Sequence, residues 1–315
     1  MSRERIEVSI HLLRECLALR SGESLLVVTD DDKRELGESL YEAGKEMGAD
    51  ASLMVMPVRS KSGEEPPKMV AEAMTRANVV VCITRYSLTH TQARKQAAAA
   101  GARLATMPGM TDDMFLNGAI LADYQQVKAL TERVTDKLTA ATRVRIEKEG
   151  YHLEFSTAGR NGVPSTGMYL EPGQSGNLPS GEAYIAPVEG TAEGQILVDG
   201  SVAGIGALSE PLLLTLQEGR LVSADGADGA RLLDMLGDGD GRMLAEFGVG
   251  TNDKARITGV VLEDEKVYGT IHVAFGSNNT FGGVITAGVH IDGVVKQPDV
   301  YFDEVIVMKQ GDLLE

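Results

Sequence analysis

The stretch SLLVVTDDDKRELGESLYEAGKEMG, residues 24–48, decides the fold of the first half of the chain. Its apolar start, SLLVVTD, predicts a buried strand, and the amphipathic segment after the aspartates predicts a helix that they cap. The same order of strand and helix recurs, with further predicted strands at 51–58, 78–85 and 102–109. Strands and helices that alternate in this way predict a parallel sheet covered by helices, in a doubly wound αβα domain.

The turn after the first predicted strand argues against a dinucleotide cofactor. No Gly-x-Gly-x-x-Gly follows that strand, which runs directly into the acidic TDDDKREL, residues 29–36. Dinucleotide sites hold a pyrophosphate on glycine backbone at a helix N-terminus, whereas these carboxylates would repel it. We therefore expect no NAD site in this domain.

The pattern changes near residue 142. TRVRIEKEGYHLEFSTAG, residues 142–159, predicts two strands around Glu149 and Gly150, and glycines then separate short strands up to the last residue. Such spacing is typical of antiparallel sheets. The sequence thus predicts an α/β protein. A doubly wound αβα domain, 1–142, lines one side of a cleft, and a β-rich, mainly antiparallel metal-binding catalytic domain spans 143–315.

Composition narrows the class of partner and the location. The 315 residues carry a net charge of −16, so we expect no binding to nucleic acid or to an anionic membrane, which needs a basic patch. Cys16 and Cys82 lie in apolar segments and are expected to be buried free thiols. No apolar run is long enough for a membrane span, and the charged N-terminus does not resemble a signal peptide. These features predict a cytoplasmic protein.

A histidine and an aspartate share one face of a predicted strand near the end of the chain. In AGVHIDGVVKQPDVYFD, residues 287–303, His290 and Asp292 are two positions apart and project together, while Val289 and Ile291 face the other way. Taken alone, this pattern is explained as well by a hydrogen-bonded pair on a half-exposed sheet. Its interpretation depends on further polar partners.

Other segments of the second half offer such partners. His272 alternates with apolar residues in a strand-like segment, Glu182 follows a Pro-Ser-Gly turn, and Glu246 precedes a glycine-rich run. Each of these, taken singly, could equally be an ordinary packed or surface residue. His11 and His152 are predicted to be structural. The charged run at 263–266 is predicted to be a solvated hairpin tip without a chemical role.

Four blocks, in this order, resemble one family of metallopeptidases. NLPSGE (177–182), LAEFGVGTN (244–252), GTIHVAFGSN (269–278) and HID (290–292) are similar to the thermophilic leucyl aminopeptidases, the aminopeptidase T and aminopeptidase S family. The resemblance implies a homodimer with two divalent ions that activate water, and Zn²⁺, Co²⁺ or Mn²⁺ suits such a donor set. The metal ligands that it implies are Glu182, Glu246, His272, His290 and Asp292, with Glu182 and Glu246 also catalytic.

One position departs from this family. Asn279 stands where the family has a tyrosine ligand. Asparagine binds divalent metals weakly, so we expect the second ion to be loosely held or missing. We assign Asn279 to substrate binding instead.

His90 and Arg94 are candidates in the first domain. They follow the third predicted strand, at the carboxyl edge where doubly wound sheets form ligand crevices, and they lie one helical turn apart. In one interpretation Thr89 or Thr91 caps the helix and His90 is only solvated. In the other, His90 and Arg94 face the metal site and hold a carboxylate or amide of the substrate.

A related family in the same superfamily offers an alternative. The 2,5-dihydroxypyridine 5,6-dioxygenases use one non-haem iron held by two histidines and one aspartate, and their final His-x-Asp is similar to His290 and Asp292. Their first histidine would fall at the AEFG block, where this chain has Glu246, which favours the peptidases. An aromatic content of 4% with no Trp also argues against an aromatic substrate.

The sequence therefore predicts a metalloaminopeptidase-like hydrolase with one or two divalent ions. It would cleave an amide or peptide bond in a small molecule or short peptide. The alternatives are an Fe(II) dioxygenase that cleaves a ring, and a metal-binding protein on the same scaffold without related catalysis.

Overall fold

The structure is a computed structural model that describes residues 2–314. The α-helices are α1 (Arg3–Glu15), α2 (Arg34–Glu46), α3 (Lys68–Met74), α4 (Gln92–Ala99), α5 (Asp112–Leu116), α6 (Tyr124–Ala140), α7 (Gly229–Leu236) and α8 (Val261–Asp264). Short 3-10 helices lie at Gly118–Leu121 and Asp240–Arg242. The strands are β1 (Ser24–Asp30), β2 (Asp50–Met56), β3 (Val79–Ile83), β4 (Arg103–Thr106), β5 (Arg143–Lys148), β6 (Tyr151–Ser156), β7 (Val163–Ser165), β8 (Ser175–Asn177), β9 (Glu182–Ile185), β10 (Glu193–Val198), β11 (Ser201–Val202), β12 (Gly206–Ala207), β13 (Leu212–Gln217), β14 (Arg220–Asp225), β15 (Leu244–Gly250), β16 (Thr270–Gly276), β17 (His290–Lys296), β18 (Asp299–Phe302), β19 (Val305–Lys309) and β20 (Asp312–Leu313).

The first compact unit contains the residues up to Gln125 together with Gly167–Ser180. Its strands form a parallel sheet in the order β2-β1-β3-β4-β8, which confirms the doubly wound prediction. Strand β3 is buried along its whole length, as expected for a strand with helices on both faces of its sheet. Strand β8 was not predicted, because its three residues carry no periodic pattern and pair with β4 only through the tertiary fold.

The second compact unit contains Gln126–Thr166 and the residues from Gly181 onward. Its strands form mainly antiparallel sheets in the orders β14-β13-β10-β6-β5-β18-β19-β20 and β12-β11-β17-β16-β15-β9-β7. The two sheets pack through a shared apolar core, in which the ring of Phe247 on β15 lies 5.6 Å from that of Phe155 and 6.4 Å from that of Phe302. The predicted β-rich second half is therefore confirmed.

The two units divide within helix α6, whereas the sequence placed the boundary at residue 142, just after that helix. Most of α6 groups with the second unit, where the Thr131 hydroxyl lies 2.6 Å from that of Thr251 in a buried hydrogen bond. The segment Gly167–Ser180 returns to the first unit because it contains β8.

Two further sequence expectations concern the thiols and the membrane. Cys16 and Cys82 are buried free thiols, as expected. Within residues 2–314, no helix combines the length and the apolar character that crossing a bilayer requires.

Candidate metal centre

Four neighbouring strands of one sheet carry the predicted ligands. Glu182 begins β9, Glu246 lies in β15, His272 lies in β16, and His290 and Asp292 lie in β17. These strands are adjacent in the order β17-β16-β15-β9, although they come from chain segments more than a hundred residues apart. The sheet thus brings all five residues into one region.

Alternation along the strands separates the polar site from the apolar core. Ile271 and Val273, which flank His272, belong to the core between the two sheets, and so does Ile291, between His290 and Asp292. Since successive side chains of a strand point to opposite faces, the polar side chains lie on the face away from that core. The alternation expected from the sequence is confirmed.

A β-bulge turns Glu246 towards this polar face. Leu244 and Phe247 both belong to the core, a spacing that regular alternation does not allow. The pairing between β15 and β16 shifts register between Leu244 and Glu246, so one extra residue is accommodated there. Without this irregularity, Glu246 and Leu244 would point to the same face.

The register places small residues beside the polar side chains. Ala274 on β16 pairs with Glu246 on one side and with Asp292 on the other, so its methyl group leaves room between the two carboxylates. Gly248 pairs with His272, and a Cβ atom at that position would overlap with the Cε1 and Nε2 atoms of the imidazole. The ring of His272 therefore lies directly over the backbone of β15.

Glu246 links the two imidazoles. Its Oε1 lies 3.2 Å from Nε2 of His272, and its Oε2 lies 3.4 Å from Nε2 of His290. Nε2 of His290 is also 3.5 Å from Oδ1 of Asp292. The other ring nitrogen of His290 donates a hydrogen bond to the carbonyl oxygen of Ser277 at 2.8 Å, which fixes the orientation of the ring and directs Nε2 towards the carboxylates.

The prediction that 263–266 forms a solvated tip is wrong. Glu263 and Asp264 are buried at the end of α8, because their carboxylates accept hydrogen bonds from the backbone N–H groups of Arg256 and Thr258. Lys266 is 0% exposed and enters the polar site.

Lys266 is the functional candidate that the sequence did not identify. Its Nζ donates to Oε1 of Glu182 at 2.6 Å and also donates to Glu265. His272 completes this side of the cluster, with Nε2 3.5 Å from Oε2 of Glu182. A run of four charged residues usually marks a solvent-exposed segment, so no local signal distinguished Lys266 from a surface lysine.

Burial and pairing shift the pKa values of the histidines upward. Burial alone would lower the pKa of His272, but its hydrogen bond to Glu246 and the charge of Glu182 raise it to about 9. For His290, burial is likewise outweighed by the charge of Asp292, and the pKa lies well above its ordinary value. In the metal-free protein these shifts favour the positively charged form of both imidazoles.

The acidic groups shift in opposite directions. Burial would raise the pKa of Glu246, but hydrogen bonds with the two histidines hold it well below its usual range. The pKa of Asp292 is lowered by the charge of His290, against the effect of burial. Burial raises the pKa of Glu265 to about 8, although the Lys266 ammonium opposes this.

The donor atoms fit a divalent metal. Two groups each bring three possible ligand atoms within 4.8 Å of one another: Glu246, His290 and Asp292, and Glu182, Glu265 and His272. Within the described part of the chain, Nδ1 of His272 and Oε2 of Glu182 are buried without a hydrogen-bond partner. Mixed imidazole and carboxylate donors suit divalent transition metals, and an ion can replace the protons that the histidines hold.

Three other site residues were predicted, of which His90 and Arg94 belong to the first compact unit. His90 is exposed, and Thr91, not Thr89, caps α4. The guanidinium of Arg94 donates to the Thr89 carbonyl oxygen and to the Ser175 hydroxyl, both at 2.7 Å. The roles of His90 and Arg94 in substrate binding remain predictions.

Asn279 follows β16 in an exposed position, and its backbone N–H donates to the carbonyl oxygen of Ile285. Across residues 2–314, no hydrogen bond joins its side chain to the metal-ligand candidates. Its role in substrate binding also remains a prediction.

Two solved structures share this fold over nearly the whole chain. The 2,5-dihydroxypyridine dioxygenase from Pseudomonas putida KT2440 is 18% identical with a TM-score of 0.82, over 98% of this chain and 96% of that one. AmpT from Thermus thermophilus is also 18% identical, with a TM-score of 0.73 over 99% of both chains. At this identity the likeness establishes the fold. No curated protein sequence matches.

The match to a family model covers residues 6–315 and distinguishes between the two enzyme classes. The family is described as NicX, 2,5-dihydroxypyridine 5,6-dioxygenase. The predicted hydrolase, aminopeptidase and protease activity is therefore wrong, although the predicted superfamily, which contains both enzymes, is correct. The four sequence blocks pointed to the wrong family because both families share the fold in which these blocks lie. By the extent of this match, the chain belongs to the 2,5-dihydroxypyridine 5,6-dioxygenase family.

Proposed function

We propose that this protein is an Fe(II)-dependent dioxygenase that opens the ring of a hydroxylated pyridine or a similar small aromatic compound. The observation that carries the proposal is that a chain of this family places Glu246, His290 and Asp292 together, with His272 3.2 Å from Glu246. Such an enzyme incorporates both atoms of O₂ into its product while one bond of the ring breaks.

The residues that would hold iron are His290 and Asp292 of the first ligand group, together with His272. His290 and Asp292 supply one imidazole and one carboxylate, and His272 supplies a second imidazole next to Glu246. Two histidines and one carboxylate are the ligands of many non-haem Fe(II) oxygenases. Bound iron would supply the redox chemistry by which O₂ reacts with the ring.

Glu246 and the hydrogen bond of His290 organise these ligands. Glu246 stays ionised between the imidazoles, because their protons lower its pKa, and it thereby holds both Nε2 atoms in one region. The bond from His290 to the Ser277 carbonyl oxygen prevents rotation of the ring. Outer contacts of this kind typically change metal affinity 10- to 100-fold when they are removed.

Aromatic side chains next to the site support a planar substrate. The ring of Phe281 lies edge-on to His290, with centroids 6.1 Å apart, and 5.4 Å from the ring of Tyr184. Low overall aromatic content argued against such a substrate, yet two of the rings are placed beside the metal ligands. Aromatic rings attract one another in edge-to-face and offset-stacked arrangements, so a planar substrate ring would make favourable contacts with these side chains.

The test is a comparison of metals and substrates with and without oxygen. Metal-free protein is loaded with Fe²⁺, Zn²⁺, Co²⁺ or Mn²⁺ and given 2,5-dihydroxypyridine, other hydroxylated rings, or an aminoacyl amide. We expect oxygen uptake and loss of ring absorbance with Fe²⁺ only, and no hydrolysis of the amide with any metal. Fe²⁺-loaded protein that consumes no oxygen with any hydroxylated ring would refute the proposal.

Variants connect the reaction to the site. Asp292→Asn and His290→Ala are expected to lower Fe²⁺ binding at least about 10-fold and to abolish oxygen uptake, since each removes a ligand. His152→Ala is the matched control, because His152 is an exposed histidine on β6. Elemental analysis of the purified variants separates loss of metal from loss of chemistry.

A further inference from the structure

Lys266 brings an ammonium group into the interior of the second unit. The side chain is 0% exposed, and Nζ donates to Glu182 at 2.6 Å and to Glu265. An ammonium group is taken out of water only at a large cost in free energy unless opposite charges and hydrogen bonds replace its hydration. The hydrogen bonds to Glu182 and Glu265 provide that replacement, so Lys266 is held in place by the site itself.

The position of the ammonium coincides with a potential metal site. Glu182 and Glu265, the two residues that hold Nζ, are two of the three members of the second ligand group, and His272 is the third. Two of the three donor groups that a divalent ion would need are therefore already bound to a cation. A metal ion would have to displace the ammonium or lie beside it, with strong repulsion between the charges.

The first ligand group has no such occupant. Among residues 2–314, Glu246 and Asp292 form ion pairs with His272 and His290 and with no lysine or arginine. When a metal ion binds, a histidine needs only to lose a proton. The ammonium group of Lys266 belongs to a buried side chain, which would have to move to make room for an ion. The two groups therefore differ in what a metal ion must displace.

We propose that Lys266 acts as a built-in cation in place of a second metal ion, so that the centre binds a single divalent ion at His290 and Asp292, beside Glu246. Glu182 then serves to hold Lys266 and is not a metal ligand. This inference rests on the metal centre of the proposed function but not on its ring-opening reaction. Lys266 is a positioning residue, whose charge fixes the number of ions and the arrangement of Glu182 beside His272.

The experiment counts Mn²⁺ ions bound to metal-free protein, by equilibrium dialysis with elemental analysis, without substrate or oxygen. We expect one ion in the wild type and two in Lys266→Met, which shortens the unbranched side chain by one atom and removes its charge. Electron paramagnetic resonance of the doubly loaded variant should show two coupled Mn²⁺ ions. Lys266→Arg, which retains the charge, should bind one.

Two further variants make the test specific. Lys148→Met is the matched control, since Lys148 is also largely buried and pairs with Asp199 at 2.7 Å outside the site, and it should bind one ion. Glu182→Gln should still bind one Mn²⁺ ion, with a smaller loss of affinity than Asp292→Asn, because Glu182 binds Lys266 and touches the metal centre only through His272. This variant decides the matter if Lys266→Met does not fold.

Three results would overturn the proposal. These are two tightly bound ions in the wild type, one ion in folded Lys266→Met, and a loss of Mn²⁺ affinity in Glu182→Gln as large as that in Asp292→Asn, which removes a ligand. None of them depends on catalysis. A protein that binds one ion and yet opens no ring would refute the proposed function while leaving the role of Lys266 intact.

Discussion

Gly248→Ala tests whether the close approach of His272 to strand β15 is essential to the centre. The added Cβ atom would lie well inside 3.0 Å of the imidazole, a separation that real Cβ atoms essentially never show. The ring must then move by about 1 Å or more to reach ordinary van der Waals distance. Such a movement breaks the 3.2 Å hydrogen bond between His272 and Glu246.

The expected loss of stability follows from these two effects. Overpacking in a well-packed interior costs about 1–3 kcal/mol, and a hydrogen bond to a charged group contributes about 1.5–3 kcal/mol. We therefore expect the free energy of unfolding of the metal-free protein to fall by roughly 2.5–6 kcal/mol, the sum of these ranges. Displacement of His272 should also weaken Fe²⁺ binding about 10- to 100-fold.

Chemical denaturation and Fe²⁺ titration measure these effects directly. Gly239→Ala is the matched control, since Gly239 has a φ of −88° and no atom within 4 Å of an added Cβ. It should leave stability and metal affinity nearly unchanged. If Gly248→Ala binds Fe²⁺ as tightly as the wild type, the imidazole of His272 has no part in the metal centre.

Two other predictions concern pH and Arg94. Because the pKa of His272 is raised from 6.5 to about 9, its pairing stabilises the folded metal-free protein fully below pH 6.5 and less as pH rises through 9. This contribution is about 3 kcal/mol, and denaturation at pH 6 and pH 9.5 should show a fall in stability that His272→Gln lacks. Arg94→Ala removes bonds to Thr89 and Ser175, so thermal melting should show a loss of about 1.5–3 kcal/mol. Arg94→Lys is a milder change. If this variant has a raised KM for the ring substrate and an unchanged melting temperature, the predicted role of Arg94 in substrate binding is supported. If its kinetics are unchanged, the role of Arg94 is structural.

The strands of the site were predictable because their signal is local. His272 lies between two core residues, and His290 and Asp292 lie on either side of Ile291. Because strand side chains alternate with a period of two, this order alone assigns the polar and the apolar residues to opposite faces of the strand. The four parallel strands of the first unit were found in the same way, from apolar runs that alternate with amphipathic helices. Patterns of this kind reflect burial of strands and helices, which each short segment encodes by itself.

The reaction class was not predictable from the same residues. Glutamates in two sequence blocks favoured a peptidase, but a donor set of histidines and carboxylates serves hydrolytic and redox metals alike. The match over residues 6–315 distinguished the families because it weighs the whole chain and not only the ligands. Function depends on the complete site, and the scaffold is common to both enzymes.

The sequence by itself thus determined the two kinds of sheet and the residues that could bind a metal. Only the tertiary structure decided that Glu246 faces the site through a bulge and that Lys266 is buried against Glu182, 84 residues earlier in the chain. The physical reason is that a lysine in a charged run is indistinguishable from a solvated one until distant carboxylates replace its water. Whether a charge is buried depends on residues that the fold brings together from distant parts of the chain, and no local pattern encodes this.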